Sequence, residues 1–293
     1  MKAEQECVEC CRNKVSGLLE QYHAAEEVRT VILEHTERVL GAREDRSAPV
    51  LMAEVMAAAE TYLNVSDSYE YPKKKYNLLL MEQEEKIRRE IEGEADRFLA
   101  GIQYAVTGNY IDFGAMSDVN EGKLDELLKK RSKISLDREE IEYLRRELAD
   151  AKKLVYITDN AGEIVLDKIF IEVIQTLYPG LKVGVVVRGA PVLNDATYMD
   201  AELTGLTDIA EVIPNGTDVP GTPLEELSET ALSWIEGADL CIAKGQGNFE
   251  TLRGCKKNIY YLFLCKCELF VRKFGVGRFT PVLSNELRLV QYA

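Results

Sequence analysis

Beyond residue 150 the sequence alternates short apolar runs with longer amphipathic segments, and this alternation constrains the fold more than any other feature. Residues 154–157 form an apolar run without a polar break, and residues 163–178 then repeat apolar side chains at helical spacing. Four similar runs follow, at 183–187, 211–213, 240–243 and 259–264. Further helical patterns lie at 223–235 and 196–204. Strands that alternate with helices predict a mostly parallel sheet covered on both faces, which is a three-layer α/β/α fold.

Residues 1–150 have a different pattern, rich in Glu, Ala, Leu, Lys and Arg and poor in β-branched runs. They predict an all-helical N-terminal region (1–150) that packs as a cap on an α/β core (151–293). Helices are expected from Cys7 through Tyr22 and at 28–40, 49–63, 72–106, 124–128 and 137–148, with Asp137 as an N-cap. No repeat or low-complexity linker marks the boundary, so we expect direct packing between the two parts.

The charge balance excludes several classes of partner. Thirty-six basic residues face 50 acidic ones, which gives a net charge of −14. Nucleic acids and anionic membranes need a basic surface, so neither is an expected partner. A small anionic substrate stays possible, because a bound cation or a lysine reverses the field of one cleft. The polar N-terminus and the absence of a long apolar segment predict a cytoplasmic protein with reduced cysteines.

Polar clusters follow three of the predicted strands, at 159–163, 188–197 and 244–250. Each has an ordinary explanation by itself, since Asp159 with Asn160, or Asp195, would cap a helix and Lys244-Gly245 would form a turn. The carboxyl ends of parallel strands meet at one edge of a sheet, however, and ligands of such folds bind there. We therefore expect the three clusters to converge on one site.

The residue types in these clusters are typical of phosphoryl chemistry. Carboxylate and amide oxygens without His or Cys are ligands for Mg²⁺ or Mn²⁺ rather than for structural zinc. Glycines at 245 and 247 let backbone N–H groups approach an anion, and Lys244 adds a positive charge. The glycine pair is too short for a dinucleotide fingerprint, and no P-loop is present in the sequence.

Several of these strings resemble the metal-dependent damage-control phosphatase family, long catalogued as domain of unknown function 89. The matching strings are Asp159-Asn160-Ala161-Gly162-Glu163, Leu193-Asn194-Asp195-Ala196-Thr197, Lys244-Gly245-Gln246-Gly247-Asn248-Phe249-Glu250 and Gly108-Asn109-Tyr110-Ile111-Asp112. They occur in the family's order and cover nearly the whole chain. An N-terminal Cys-x-x-Cys, here Cys7 and Cys10, resembles the compact archaeal and bacterial branch.

The resemblance implies an α/β/α core with a helical N-terminal part and a site for a divalent cation such as Mn²⁺, Mg²⁺, Co²⁺ or Ni²⁺. The residues matching Asp159, Asn160 and Asp195 would hold this cation, and the lysine matching Lys244 would contact substrate phosphate. The implied reaction is hydrolysis of small phosphorylated metabolites, such as sugar phosphates or damaged cofactor intermediates.

A mechanistic hypothesis follows, in which Lys244 and the backbone from Gly245 to Asn248 hold the phosphate oxygens. The nucleophile is either water activated by the cation or the carboxylate of Asp159. Glu163 or Glu250 would orient water, or else would be acidic residues that start helices.

Three other polar residues have two interpretations each. Asn109 and Asp112 would line the cleft from the helical side or cap a turn. Arg188 would reach the phosphate, although a surface ion pair is the favoured interpretation.

The cysteines suggest a second, structural site. Cys7 and Cys10 have metal-ligand spacing, and Cys265 and Cys267 follow the fifth predicted strand. If the N-terminal helix folds back beside that strand, four sulfurs would hold a zinc ion. A redox-sensitive thiol pair is the alternative, and Cys241, in mid-strand, is expected in the core.

Two other function classes compete with a phosphatase. A non-catalytic protein that binds a phosphorylated ligand or a nucleotide would use nearly the same groups. A methyltransferase-like enzyme would need a Gly-x-Gly loop after the first strand, but the loop at 159–163 has one glycine. The phosphatase is the favoured interpretation.

Overall fold

A computed structural model describes residues 1–112 and 120–289 of the chain. Its centre is a six-stranded sheet in the order β3-β2-β1-β4-β5-β6. The strands are β1 Lys153–Ile157, β2 Lys182–Val187, β3 Glu211–Pro214, β4 Leu240–Lys244, β5 Ile259–Leu264 and β6 Pro281–Asn285. The first five pair in parallel, and β6 pairs antiparallel with β5. The predicted α/β class and the five predicted strands are confirmed, and β6 was not predicted.

Thirteen α-helices are present among the described residues. In the N-terminal half they are α1 Gln5–Gln21, α2 Glu26–Gly41, α3 Ala48–Leu63, α4 Glu70–Met81, α5 Glu84–Glu92, α6 Arg97–Gly108, α7 Glu121–Lys129 and α8 Arg138–Asp150. In the C-terminal half they are α9 Glu163–Leu177, α10 Tyr198–Leu203, α11 Glu229–Glu236, α12 Gly245–Leu252 and α13 Glu268–Phe274. Asp137 caps α8 as predicted, since its side chain accepts from the backbone of Glu139 and Glu140. No helix among the described residues is long and apolar enough to cross a membrane.

The prediction of one long helix over 72–106 is wrong, because three helices occupy this stretch. Asp96 explains the last break, since its side chain accepts a hydrogen bond from the backbone N–H of Leu99 and starts α6. Helices α12 and α13 were not predicted. The segment 223–235 contains a short 3₁₀ turn, Leu224–Glu226, before α11 begins.

Apolar side chains from the two faces of the sheet form two separate cores. Alternate residues of β1, such as Leu154 and Tyr156, pack against α4 to α9, whereas Val155 and Ile157 pack against α11 to α13. The N-terminal helices α4 to α8 therefore form part of one outer layer. Helices α1 to α3 enclose a third core of their own, which contacts the rest of the chain through Val192 and Leu193.

Candidate functional site

The loops after β1, β2 and β4 lie at the carboxyl edge of the sheet. The chain builds β2 and β3 on one side of β1 and then returns to place β4 and β5 on the other side. The crevice between β1 and β4 is therefore the switch point at which open α/β sheets bind ligands. Asp159 and Asn160 follow β1, Asp195 follows β2, and Lys244 ends β4.

Backbone hydrogen bonds hold the first two loops together. Ala161 donates its N–H to the carbonyl of Asn194 (2.8 Å), and Ala196 donates to the carbonyl of Asp159 (2.7 Å). Asn160 and Asp195 form an isolated antiparallel bridge between these contacts. The side chains of Asp159, Asn160 and Asp195 consequently line one end of a single cavity of about 170 Å³.

Each oxygen of Asp159 is near a donor. Its Oδ2 accepts from Nδ2 of Asn109 (3.0 Å) and from Nδ2 of Asn160 (2.7 Å). Its Oδ1 lies 3.8 Å from Nη2 of Arg188, whose Nε donates to Oδ2 of Asp195 at 2.6 Å. Arg188 is 1% exposed, so the prediction of a surface ion pair is wrong. A buried guanidinium instead joins the two carboxylates, because both loops fold over it.

The electrostatics of this corner are unfavourable for its carboxylates. Burial, together with the charges of Asp195 and Glu163, raises the pKa of Asp159 well above its ordinary value. Burial also raises the pKa of Asp195 to about 6, although Arg188 opposes the rise. Both carboxylates therefore lie in surroundings that disfavour their ionised forms.

A charge count over the ion pairs of the described residues at this corner gives the size of the deficit. Arg188 serves Asp159 and Asp195, Lys244 serves Glu163 and Asp167, and Lys266 serves Asp112. If all five carboxylates were ionised, they would exceed these three cations by two negative charges, which one divalent cation would neutralise.

The donor set fits such a cation only if the amide takes part. No three His, Cys, Asp or Glu side chains in the described ranges are arranged to hold a metal ion. The amide nitrogen of Asn160 donates to Asp159 and to Glu163 (2.9 Å), so its Oδ1 is the atom left to serve a cation as a third donor. The all-oxygen set of Asp159, Asn160 and Asp195 suits a hard ion.

Lys244 lies beneath the Asp159 turn. Its Nζ donates to Oε1 of Glu163 (2.7 Å), Oδ1 of Asp167 (2.6 Å) and the carbonyl of Ala105 (2.9 Å), which uses all three donors. The hydroxyl of Tyr156 also donates to Oδ1 of Asp167 at 2.7 Å. Lys244 and Glu163 are both fully buried and neither lines the cavity.

The other residues singled out from the sequence either pack near the Asp159 turn or line the cavity. Gly245 adopts φ +78°, and a Cβ there would stand 1.9 Å from Oδ2 of Asp159. Asn248 is buried and donates to the carbonyls of Thr158 and Lys244. Asp112 lines the cavity, as does Glu250, whose pKa burial raises to about 7.

Lys266 is the residue that sequence reasoning missed. It lies two residues after β5, much as Lys244 ends β4, but no local pattern in the sequence assigns it a role. Its ammonium pairs with Asp112, and its positive charge opposes the rise in the pKa of Asp159. Its position at the end of a central strand was the signal available in the sequence.

The predicted four-sulfur arrangement does not form. Cys7, Cys10 and Cys267 line the cavity together with Cys11, but Cys265 is buried in the apolar core beneath. All seven cysteines are free thiols. The side chain of Cys265 points into this core because it continues the inward-facing positions of β5 at 261 and 263.

Comparison with known proteins matches this chain to a recognised family. Residues 3–282 match the family model described as the damage-control phosphatase ARMT1-like domain. A damage-control phosphatase of Pyrococcus horikoshii is 30% identical over 295 residues, which cover 99% of this chain and 100% of the relative. One of Archaeoglobus fulgidus is 34% identical over 218 residues (73% of this chain and 74% of the relative).

Two further proteins are similar to this chain over most of its length. An uncharacterised protein of Methanocaldococcus jannaschii is 38% identical over 221 residues, covering 73% of this chain and 71% of the relative. The crystal structure of a DUF89 family protein from Pyrococcus horikoshii superposes with a TM-score of 0.81 at 28% identity, covering 98% of this chain and 99% of that one.

Proposed function

Because the chain belongs to the damage-control phosphatase ARMT1-like family, we propose that it hydrolyses small phosphorylated metabolites with the help of a divalent cation. The observation that carries this proposal is the convergence of Asp159, Asn160 and Asp195 on one cavity, at a corner where five carboxylates pair with three cations. A purely structural ion-pair network would be neutral, because unpaired buried charges are costly.

The side chains of Asp159, Asn160 and Asp195 would hold the cation, with Mn²⁺, Mg²⁺, Co²⁺ and Ni²⁺ as candidates. When bound, such an ion acts as a Lewis acid on a phosphoryl oxygen and neutralises charge on the transferring group.

The protein residues around the corner fix these ligands. Asn109 and Asn160 hold one oxygen of Asp159, and Arg188 orients Asp195. Two hydrogen bonds to Oδ2 hold the carboxylate of Asp159 in one orientation, which suits a fixed cation ligand. We therefore assign the nucleophile to water and give Asp159 the role of ligand.

Two lysines compete for the contact with substrate phosphate. The family resemblance implies Lys244, but that lysine would have to leave both Glu163 and Asp167 to reach the cavity. Lys266 is also buried, but it pairs with one carboxylate only, Asp112, which lines the cavity. We propose that Lys266 contacts the phosphate and that Lys244 holds Glu163 beneath the Asp159 turn.

The test is a hydrolysis assay on chelated protein with p-nitrophenyl phosphate and a panel of sugar phosphates, each divalent metal being added back in turn. We expect metal-dependent turnover in the wild type and its loss in Asp159→Asn. The exposed Asp208→Asn is the matched control, because it removes the same charge near the opposite end of β3. No turnover in folded, cation-loaded protein would support a non-catalytic binding protein instead.

The same assay, combined with unfolding measurements, decides which of the two lysines contacts the phosphate. Lys266→Met is expected to raise KM, since it removes a phosphate contact while the fold persists. Lys244→Met leaves two buried carboxylates unpaired and should lower the free energy of unfolding by about 3–5 kcal/mol. Normal stability in Lys244→Met combined with a raised KM would return the phosphate contact to Lys244.

A further inference from the structure

Four cysteine thiols share the cavity with the proposed cation ligands, and the proposed reaction uses none of them. Cys7, Cys10 and Cys11 line it from α1, and Cys267 lines it from the residue before α13. The two groups come from opposite ends of the chain and line the same cavity. This leaves a cluster of nucleophilic side chains without an assigned role.

Cys10 and Cys267 are the most accessible of the four. Both are partly exposed, whereas Cys7 and Cys11 are buried, and burial raises the pKa of each buried thiol to about 12. Burial also raises the pKa of both Cys10 and Cys267, and at Cys10 the charge of Lys14 opposes this rise. At Cys267 the backbone N–H groups of Phe270 and Leu269 oppose it, and Gln246 donates its amide to the sulfur at 3.4 Å.

The two thiols are close enough for their charges to interact. A thiolate at Cys267 raises the pKa of Cys10, and the carboxylate of Glu250 raises the pKa of both thiols. Glu250 also lines the cavity, so the three side chains occupy the same region of it.

The Cys-x-x-Cys pair on α1 is a poorer candidate for a disulfide. Cys7 and Cys10 lie within one regular helix, where side chains three residues apart have Cβ atoms about 5–6 Å apart. A disulfide needs a Cβ separation of about 3.5–4.5 Å, so closing this pair would distort the first turns of α1. Cys10 and Cys267 belong to different elements and have no such restriction.

Helix α1 packs mainly in the core of α1 to α3, although Cys7 belongs to the core that also holds Leu269 and Phe270 of α13. Its links to α13 include exposed ion pairs of Arg272 with Glu6 (2.7 Å) and Lys273 with Glu4 (2.7 Å). Such exposed pairs are individually weak, so they permit small shifts of one helix along the other.

We propose that Cys10 and Cys267 form a reversible disulfide that ties α1 to the carboxyl edge of the sheet and closes the cavity. The oxidant is a low-molecular-weight disulfide such as oxidised glutathione. The Cys267 thiolate attacks it, forming a mixed disulfide and releasing one glutathione thiolate. The Cys10 thiolate then attacks the sulfur of Cys267 and releases the second. The protein loses two thiol protons and two electrons, and the oxidant is reduced to two thiols.

The chain should be treated as the intact folded protein, after chelation, with oxidised glutathione and then analysed by intact mass and by peptide mapping. We expect the mass of the wild type to fall by two hydrogens and a peptide link to join Cys10 to Cys267. The link should persist in Cys7→Ser and disappear in both Cys10→Ser and Cys267→Ser. A retained mixed disulfide, a Cys7–Cys10 link, or thiols that fail to react because stoichiometric zinc holds them would each overturn the proposal.

The effect on catalysis rests on the proposed function and is measured separately. Oxidised wild type should lose nearly all hydrolysis of p-nitrophenyl phosphate and regain it with dithiothreitol, whereas Cys267→Ser, which lacks the thiol that attacks first, should be unaffected by the same treatment. A link that forms without changing turnover would overturn the closure of the cavity but not the thiol pair. A protein that never hydrolyses the ester still reports the link by mass.

Discussion

The position of Asp159 depends on the absence of a side chain at residue 245. The backbone of Gly245 passes so close that a Cβ would stand 1.9 Å from Oδ2 of the carboxylate. Its φ of +78° is also in the region that favours glycine. The start of α12 is thereby packed directly against the proposed cation ligand.

Gly245→Ala should therefore displace Asp159 and abolish metal-dependent hydrolysis. Gly254→Ala is the matched control, since Gly254 has φ +91° but a Cβ there would meet no heavy atom of the described residues within 4 Å. We expect the control to lose about 1 kcal/mol of stability from backbone strain alone and to stay active. Equal activities of the two variants would show that the contact with Asp159 does not matter.

At this scale the sequence predicted which loops meet, but not which way each side chain points. Asp159, Asn160 and Asp195 follow parallel strands, and the shared edge brings them together. Lys244 turns away from the cavity because α9 supplies Glu163 and Asp167 to pair with it. That burial depends on the packing of α9 against the sheet, which no local pattern reveals.

Among the elements, those with strong local signals were predicted and those defined by tertiary packing were not. The apolar runs of the five parallel strands are continuous in sequence. By contrast, β6 includes Pro281 and Ser284 and exists because it pairs with β5 at the sheet edge. Helical propensity over 72–106 is nearly continuous, so the breaks before α5 and α6 were missed despite the capping residue Asp96.

The packing of α11 on the sheet relies on Gly184 in β2. A Cβ at this residue would lie 2.5 Å from the ring of Trp234, the single tryptophan of the chain. Gly184→Ala should cost about 1–3 kcal/mol of stability through overpacking and should shift tryptophan fluorescence. A Cβ at Gly180, in the turn before β2, would meet no atom within 4 Å in the described part of the chain. Gly180→Ala should therefore change neither the stability nor the tryptophan fluorescence. An unaltered spectrum and stability in Gly184→Ala would contradict this packing.

For the whole molecule, Glu250 links stability to pH. Burial raises its pKa from 4.5 to about 7, so the folded chain holds a proton that the unfolded chain releases. The buried carboxyl favours the folded chain fully below about pH 4.5, where it is protonated. As the pH rises through 7 the carboxyl ionises, and the free energy of unfolding falls by roughly 1–3 kcal/mol.

Glu250→Gln should remove this pH dependence, so its stability relative to the wild type should increase between pH 5 and pH 8. Urea unfolding at several pH values measures the difference, with the exposed Glu202→Gln as control. A constant difference across this range would show that Glu250 titrates normally.

The net charge of the chain and the charge of the local site both favour the binding of cations. A net charge of −14 attracts cations to the whole surface, and the crevice between β1 and β4 concentrates uncompensated carboxylates at one point. Exposed carboxylates bind ions weakly and without selectivity. A tight site is expected only where the buried charges of Asp159 and Asp195 meet the amide of Asn160.

The measurement that tests this account most directly is a Mn²⁺ titration of the chelated protein, with free Mn²⁺ followed by electron paramagnetic resonance. The charge deficit predicts about one tight site per chain, since a single divalent ion neutralises it. That site should be lost in Asp159→Asn and Asp195→Asn and retained in Asp208→Asn. Tight binding that survives in the first two variants, or no tight binding in the folded wild type, would contradict the assignment of Asp159, Asn160 and Asp195.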